Sequence, residues 1–263
     1  MNKLTKYMID AIQTIYKTSS VENINKKTLT ALINKNILSD NNLSEDAKYF
    51  VISKMKLQEQ CKELSIKFSE IELNYNENPE INLLNYFENQ GYIGSFSEGH
   101  LLLNVLKALV LNKLEKYNIF KDRNDACVRF LSAQLEINKN YQNEIISSIK
   151  NINKEIFIKN LNDIFNNPLI KELYPNLSYK VAIELFNSFE LDLFQTILKT
   201  ISLNPYEYSK GWPDLTLIKD KKVYLIEVKT TDKLHLSQIK TISLFKNIIP
   251  CKFEVIKVIQ NKD

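Results

Sequence analysis

Apolar residues recur with the period of a helix along most of the chain and with the period of a strand near its end. Leu4, Met8 and Ile12 begin the first helical stripe, and Ser44 has the residue type and position of an N-cap. The pattern predicts helices over these ranges: 3–17, 26–36, 44–72, 83–90, 98–117, 123–135, 180–200 and 236–248, with further helical segments between 138 and 174.

The predicted strands lie close together in the C-terminal part of the chain. Residues 215–218 form a short β-prone run, 219–222 a polar turn, and 223–229 a second run that is apolar and β-branched. Residues 252–258 are predicted to form a closing strand. We therefore expect an α/β fold that is mostly α-helical, with a small mixed sheet at the C-terminus.

The segment 74–82 has no apolar period and is the predicted boundary between two parts of the chain. It separates a helical region, 1–73, from a larger domain, 80–263, in which a helical insertion occupies about 118–178. Region 1–73 has two interpretations: a winged-helix-like module that docks on duplex DNA, or a helical scaffold that packs against the larger domain. The absence of arginine, a common base-reading residue, favours the scaffold.

The predicted hairpin carries the candidate chemistry. Asp214 begins its first strand and Glu227 lies near the end of its second, so that a hairpin brings the two side by side. Alternation puts Leu225, Glu227 and Lys229 on one face. Two close carboxylates resist ionising together unless a cation joins them, and oxygen ligands suit Mg²⁺ or Mn²⁺. Although Glu-x-Lys alone is usually a solvated ion pair, its combination with Asp214 favours a metal-dependent site that cleaves phosphodiesters.

These residues resemble a known family. They resemble the virus-type replication-repair nuclease (VRR-NUC) branch of the PD-(D/E)xK nuclease superfamily. That branch typically shows four motifs in this order: Gly-x-Pro-Asp-Leu, Glu-Val-Lys, Asp-x-Leu and a Gln that opens a helix. The matching residues are Gly211, Pro213, Asp214, Leu215, Glu227, Val228, Lys229, Asp232, Leu234 and Gln238. The resemblance implies that Asp214, Glu227 and the carbonyl of Val228 hold Mg²⁺ or Mn²⁺. Lys229 and Gln238 would then act in catalysis, within a PD-(D/E)xK nuclease core preceded by a helical N-terminal region.

A second resemblance lies upstream. Residues 83–113 are similar to the helical segment of the Fanconi-associated nuclease subfamily. They contain Gln-Gly-Tyr-x-Gly and then Glu-Gly, followed by a long apolar run. This similarity implies that Glu98 is a catalytic, metal-binding carboxylate. Glu184 and Glu190, on the predicted helix before the hairpin, are alternatives for that ligand, although each also fits a solvated helix face. The two resemblances together cover about 80–260.

The resemblance implies a DNA nuclease that hydrolyses phosphodiester bonds. Its expected substrates are flapped, branched or single-stranded DNA, and its expected role is DNA repair. Two alternatives stay open: a phage-linked or toxin-type nuclease, and a catalytically silent DNA-binding module that has kept the fold. The sequence leaves the oligomeric state open as well.

Composition narrows the class of protein only slightly. The net charge of +4, from 35 basic and 31 acidic residues, suits a nucleic-acid partner without requiring one. The three cysteines and two histidines lack the spacing of a zinc site. No apolar run has the length of a membrane span, so we expect a cytoplasmic protein without membrane contact.

Aromatic and basic residues near the hairpin are candidate DNA contacts. Trp212 fits either stacking on DNA or packing in the core. The other candidates are Tyr206, Tyr208 and Lys210 along a substrate channel, Lys233 and Lys240 at phosphates, and Arg123 and Arg129 near a DNA end.

Overall fold

The N-terminal helices form where the apolar stripes predict them and surround a small core of their own. The computed structural model describes residues 4–75 and 78–261. The first elements are α1 (Lys6–Thr18), α2 (Lys26–Asn34), the paired two-residue strands β1 (Leu38–Ser39) and β2 (Asn42–Leu43), and α3 (Glu45–Ile52). Ser44 is the N-cap of α3, as predicted, since its side chain accepts a hydrogen bond from the Ala47 N–H. Their buried core consists of Met8, Ala11, Ile12, Ile15, Leu32, Ile37, Leu38, Leu43, Ala47 and Val51.

The predicted single helix over 44–72 is wrong beyond α3. A short helix, α4 (Leu57–Glu63), stops before Ser65, whose φ of 52° is left-handed, and the chain then forms strand β3 (Lys67–Leu73). This strand pairs in parallel with the last strand of the chain, Phe68 opposite Val255. Its partner is distant in sequence, so local periodicity gave no sign of it. The end of the region 1–73 therefore contributes a strand to the main sheet.

The next segment forms a helix and then the strand at the other edge of the sheet, opposite the edge formed by β3. Helix α5 (Pro79–Glu88) starts with a proline, and the Asn78 side chain caps it by accepting from the Ile81 N–H. Strand β4 (Ile93–Phe96) follows, where the sequence predicted no strand. Its run of four residues, which includes Gly94, is too short for a periodic signal.

Helix α6 (His100–Tyr117) is the centre of the helical half of the protein. It is buried on most sides. The other helices of this half are α7 (Arg123–Val128), α8 (Leu131–Ile137), α9 (Gln142–Ser147), α10 (Lys154–Phe165), α11 (Pro168–Leu173), α12 (Tyr179–Ser188), α13 (Leu191–Leu203) and α14 (Pro205–Tyr208). The helix predicted over 180–200 is two helices, because Phe189 and Glu190 are extended. None of the helices in the described residues is long and apolar enough to cross a membrane.

The last elements complete a five-stranded mixed sheet. They are β5 (Leu215–Lys219), β6 (Lys222–Lys229), α15 (Leu236–Phe245) and β7 (Lys252–Gln260). The strand order is β3-β7-β6-β5-β4, with β4, β5 and β6 antiparallel and β6, β7 and β3 parallel. The fold is thus a mostly helical α/β fold with a mixed sheet, as predicted, although β3 and β4 come from outside the C-terminal segment.

The two faces of the sheet have different cores. Leu215, Leu217, Ile226 and Val228 pack in one cluster with α5. Leu225, on the other face, packs in the large cluster built around α6. Since side chains alternate along a strand, Glu227 and Lys229 share the face of Leu225 and point towards the helical half of the protein.

Candidate active site

A tight turn fixes the register of the hairpin. Asp220 and Lys221 both have left-handed φ values, 51° and 61°, as a two-residue turn between antiparallel strands requires. The pairing runs from Lys219 opposite Lys222 to Leu215 opposite Ile226. One step further, the same register places Asp214 opposite Glu227. The hairpin therefore brings the two carboxylates side by side, close enough for the charge of Asp214 to act on Glu227.

Asp214 is held by the second strand of the hairpin. The Val228 N–H donates to its Oδ2 at 2.8 Å. Burial raises the pKa of Asp214 to about 6, against the lowering effects of the Val228 N–H and of the Lys229 charge. Glu80 and Glu98 raise this pKa further. Asp214 therefore keeps its proton to a higher pH in the folded protein than a solvated aspartate does.

Glu227 is almost completely enclosed, with 1% of its surface exposed. Its Oε1 accepts from the Gln238 amide and pairs with Lys229 Nζ at 2.9 Å. Its Oε2 has no hydrogen-bond partner among the described residues. Burial, and then the charge of Asp214, raise the pKa of Glu227 to about 8. A buried carboxylate oxygen without a partner is costly, and a cation would relieve that cost.

Lys229 supplies the positive charge of the site. Only 7% of its surface is exposed, and its Nζ contacts Glu227 at 2.9 Å and Asp232 Oδ2 at 3.3 Å. Burial alone would lower the pKa of this ammonium, but the neighbouring carboxylates, Glu227 first and then Asp232 and Asp214, together outweigh burial and raise it. Lys229 is therefore a cation at neutral pH. Asp232, which the sequence marked only through the family motif, holds it on the solvent side.

Gln238 joins the first turn of α15 to the hairpin. Its Nε2 donates to Glu227, and its Oε1 accepts from the His235 N–H at 2.9 Å. Gly211 makes this approach possible, because a Cβ there would lie 2.3 Å from the carbonyl carbon of Ser237. The φ of Gly211 is also positive, 70°. The amide of Gln238 is thus fixed from both ends.

Glu98 lies beside Asp214 through its backbone. The Ser97 and Glu98 N–H groups both donate to the Asp214 carbonyl, at 3.0 and 3.2 Å. Glu98 has a left-handed φ of 47° and an exposed side chain. The next residue, Gly99, approaches Trp212 so closely that a Cβ would lie 2.2 Å from the Trp212 Cβ. The Glu-Gly step therefore brings Glu98 to the edge of the site.

Glu80 is a nearby carboxylate that the sequence analysis missed. It lies in the first turn of α5, is partly buried, and has a larger effect on the pKa of Asp214 than Glu98 has. The helical period of α5 marks its apolar face but gives no sign that its first turn faces the hairpin. Glu184 lies in α12 beside Asn187, and Glu190 is exposed at the start of α13.

The described residues do not contain a complete side-chain ligand set. Within 4–75 and 78–261, no three side chains of His, Cys, Asp or Glu are close enough together to hold one metal ion. What the structure does bring together is Asp214 and Glu227, with Lys229 and Gln238 on Glu227. The unpaired Oε2 of Glu227 and the all-oxygen donor set fit a hard divalent cation such as Mg²⁺ or Mn²⁺.

Several predicted DNA contacts have partners inside the protein. Trp212 is 3% exposed, donates to the Tyr208 carbonyl at 3.0 Å and packs on Phe245, so it belongs to the core. Lys240 pairs with Glu207 at 2.7 Å and with Asp46 at 2.9 Å.

The two arginines are likewise paired with acidic side chains. Arg123 contacts Glu115 and Asp163, each at 2.7 Å, and Arg129 contacts Asp125 at 2.9 Å. Their charges are thus engaged within the helical half. Lys210, Lys233 and Tyr206 are exposed.

The fold and this site together define a class: a mixed α/β chain whose sheet presents paired carboxylates and a lysine on one hairpin. The chain matches no family model and no curated protein. Among solved structures it is similar to paFAN1 bound to 2-nt 5′-flap DNA with a gap, with a TM-score of 0.51 and 13% identity over 97% of this chain and 52% of that chain.

A second similar structure is paFAN1 bound to 1-nt 5′-flap DNA with a gap. Its TM-score is 0.51 and its identity 14%, over 98% of this chain and 53% of that chain. At such identity the similarity shows a shared fold. The chain spans about half the length of these proteins.

Proposed function

We propose that this protein is a metal-dependent DNA nuclease that hydrolyses phosphodiester bonds. The observation that carries the proposal is the buried pair, Asp214 and Glu227, with a lysine bonded to one of them. A carboxylate pair with raised pKa values is unstable as two anions and favours a cation between them. The shared fold with a protein crystallised on flap DNA supports DNA as the partner.

Each residue has a role in this proposal. Asp214, Glu227, the Val228 carbonyl and Glu98 would hold Mg²⁺ or Mn²⁺, and Glu98 would join them by a change of side-chain rotamer. When bound, the cation supplies Lewis acidity at the phosphate. Lys229 stabilises the negative charge that develops on the phosphate oxygens. Gln238 fixes the orientation of Glu227 and, through it, of Lys229.

The substrate is proposed to be flapped, branched or single-stranded DNA, and the role DNA repair. The similar structures contain 5′-flap DNA, which makes a flap the first substrate to try. A phage-linked or toxin-type nuclease would use the same chemistry, that of the VRR-NUC branch of the PD-(D/E)xK superfamily. A DNA-cleavage assay would detect that activity as well.

The proposal is tested by incubating the protein with 5′-flap, single-stranded and duplex DNA. Mg²⁺, Mn²⁺ or a chelator is added, and Asp214→Asn is assayed in parallel. We expect cleavage only with a metal, and a rate at least about 100-fold lower for Asp214→Asn, because metal-ion stabilisation contributes several kcal/mol to such reactions. Asp220→Asn, in the turn of the same hairpin, is the matched control and should keep the wild-type rate. Cleavage that persists in chelator contradicts the mechanism, and DNA binding without cleavage points to the silent module.

A further inference from the structure

An apolar cavity opens beside the candidate active site, against the first turns of α6. Its volume is about 220 Å³, far more than the ~15 Å³ that one ordered water needs. Four rings line it: His100, Phe130, Tyr174 and Tyr206. These residues come from four separate parts of the helical half, so the cavity is a product of the fold and not of one loop.

The rings form a stacking surface with an open rim. His100 and Tyr174 make one wall, with centroids 4.1 Å apart and planes inclined by 32°. Phe130 and Tyr206 stand at the rim and are 56% and 51% exposed. Large rings held at the mouth of a cavity offer apolar surface to a flat ligand.

The charges around the cavity are positive. Lys107 and Lys210 are among the lining residues, and none of the Asp or Glu residues that the structure describes is. Lys107 is only 3% exposed and donates from Nζ to the Cys127 carbonyl at 2.8 Å, whereas Lys210 is exposed. An aromatic slot with the exposed cation Lys210 beside it complements a nucleotide, which combines a flat base with a negatively charged backbone.

The cavity adjoins a second one that reaches the edge of the candidate active site. A neighbouring cavity of about 250 Å³ shares His100 and Tyr174 with it and extends to Ser97 and Glu98. Glu98 is bonded through its backbone to Asp214. A strand whose phosphate lies at the hairpin would therefore have the rings within reach of an adjacent nucleotide.

We infer that this cavity binds the base of one unpaired nucleotide of the DNA substrate, stacked on Tyr206 and Phe130, beside the phosphate to be cleaved. The inference rests on the proposed function and deepens it. A base within a duplex is stacked and paired and does not enter such a slot without the cost of extrusion. The slot would thus select unpaired DNA, such as a flap, over duplex.

The inference is tested with a 5′-flap DNA that carries 2-aminopurine at an unpaired position, since the fluorescence of this base falls when it stacks on an aromatic ring. The Asp214→Asn variant of this chain is used so that the DNA stays intact. We expect strong quenching on binding, and none when 2-aminopurine lies in the paired part. Adding Phe130→Ala and Tyr206→Ala should abolish the quenching and weaken flap binding about 5- to 150-fold, the range for loss of base stacking.

Two further variants make the test specific. Tyr206→Phe keeps the ring and should retain the quenching, whereas Phe120→Ala removes a ring that is 68% exposed but does not line the cavity, and should change nothing. Thermal unfolding confirms that each variant is folded. Quenching that is absent in the parent protein, or unchanged by loss of the two rim rings, overturns the inference even if the wild type cleaves DNA. Failure to bind any DNA would overturn the proposed function and this inference with it.

Discussion

At the scale of single residues, Glu227 is the most informative side chain. Its side chain is only 1% exposed. Oε1 has two partners, Gln238 and Lys229, whereas Oε2 has no hydrogen-bond partner among the described residues. Burying a carboxylate in this way costs stability. The protein retains it beside Asp214 and Lys229, which argues for a chemical use rather than for packing.

The pKa of Glu227 predicts how stability changes with pH in the metal-free protein. The folded state holds the proton more tightly than the unfolded state, because the pKa rises from 4.5 to about 8 on folding. Stability should therefore fall as pH rises from about 6 to about 8, the values to which the pKa of Asp214 and the pKa of Glu227 are raised. The expected loss is at least about 1 kcal/mol, measured by urea unfolding in chelator.

Glu227→Gln does not titrate and serves as the matched comparison. Its stability should change much less over the same range, and Mn²⁺ should restore the wild type, but not this variant, at the upper end. A wild-type stability that stays flat or increases over the range, in chelator, would be inconsistent with a buried carboxyl of raised pKa.

The residues of the motif could be predicted, but their environment could not. Alternation along β6 was sufficient to place Glu227 and Lys229 with Leu225, since it is a local property. The burial of Glu227 depends on β7 and on α15 packing over the strand. The partners of Gln238, Trp212 and Lys240 lie in other elements, which local sequence does not reveal. Trp212 and Lys240 therefore contact the protein itself, although the sequence also allowed them to contact DNA.

At the scale of elements, the hairpin was predictable because both strands and the turn are adjacent in sequence. Strands β3 and β4 were not, since each gains its hydrogen bonds from a strand far along the chain. Most residues of β3 lie in the helix predicted over 44–72, and the sequence predicts no element over those of β4. The pairing of β4 with β5 is also what brings Glu98 beside Asp214.

The position of Glu98 gives a prediction about the first metal-binding carboxylate. Glu98→Gln should lower the cleavage rate at least about 10-fold, because it removes a charged group beside Asp214. Glu184→Gln and Glu190→Gln, on α12 and at the start of α13, should leave the rate unchanged. The measurement is single-turnover cleavage of flap DNA over a range of Mn²⁺ concentrations.

Glu80→Gln belongs in the same series, because Glu80 acts on Asp214 more strongly than Glu98 does. If Glu80→Gln greatly lowers the cleavage rate and Glu98→Gln leaves it at the wild-type value, the third metal-binding carboxylate is Glu80, in the first turn of α5, and not Glu98.

At the scale of the whole molecule, one buried amide ties the N-terminal part to the candidate active site. Gln60, in α4, is 0% exposed. Its Nε2 donates to the carbonyls of Ile52 and Leu234, at 3.1 and 3.2 Å, and its Oε1 accepts from the Leu234 N–H at 2.8 Å. Leu234 follows Asp232, the partner of Lys229. This contact supports the scaffold interpretation of region 1–73.

Gln60→Leu should destabilise the protein by about 3 kcal/mol, since the backbone N–H and the carbonyl of the buried Leu234 both lose their partner. Gln58→Leu, on the exposed side of the same helix, is the matched control and should be nearly neutral. Urea unfolding at fixed pH measures both. Equal stabilities for the two variants would show that the amide does not hold the loop.

The central claim is that Asp214 and Glu227 form a metal site, and Mn²⁺ binding tests it most directly. Free Mn²⁺ has an electron paramagnetic resonance signal that weakens when the ion binds to a protein. We expect the wild type to bind Mn²⁺ at a pH of about 8, where the raised pKa values permit ionisation. Glu227→Gln should lose at least about 10-fold in affinity, and Glu184→Gln should match the wild type. Equal Mn²⁺ binding by wild type and Glu227→Gln would contradict the claim.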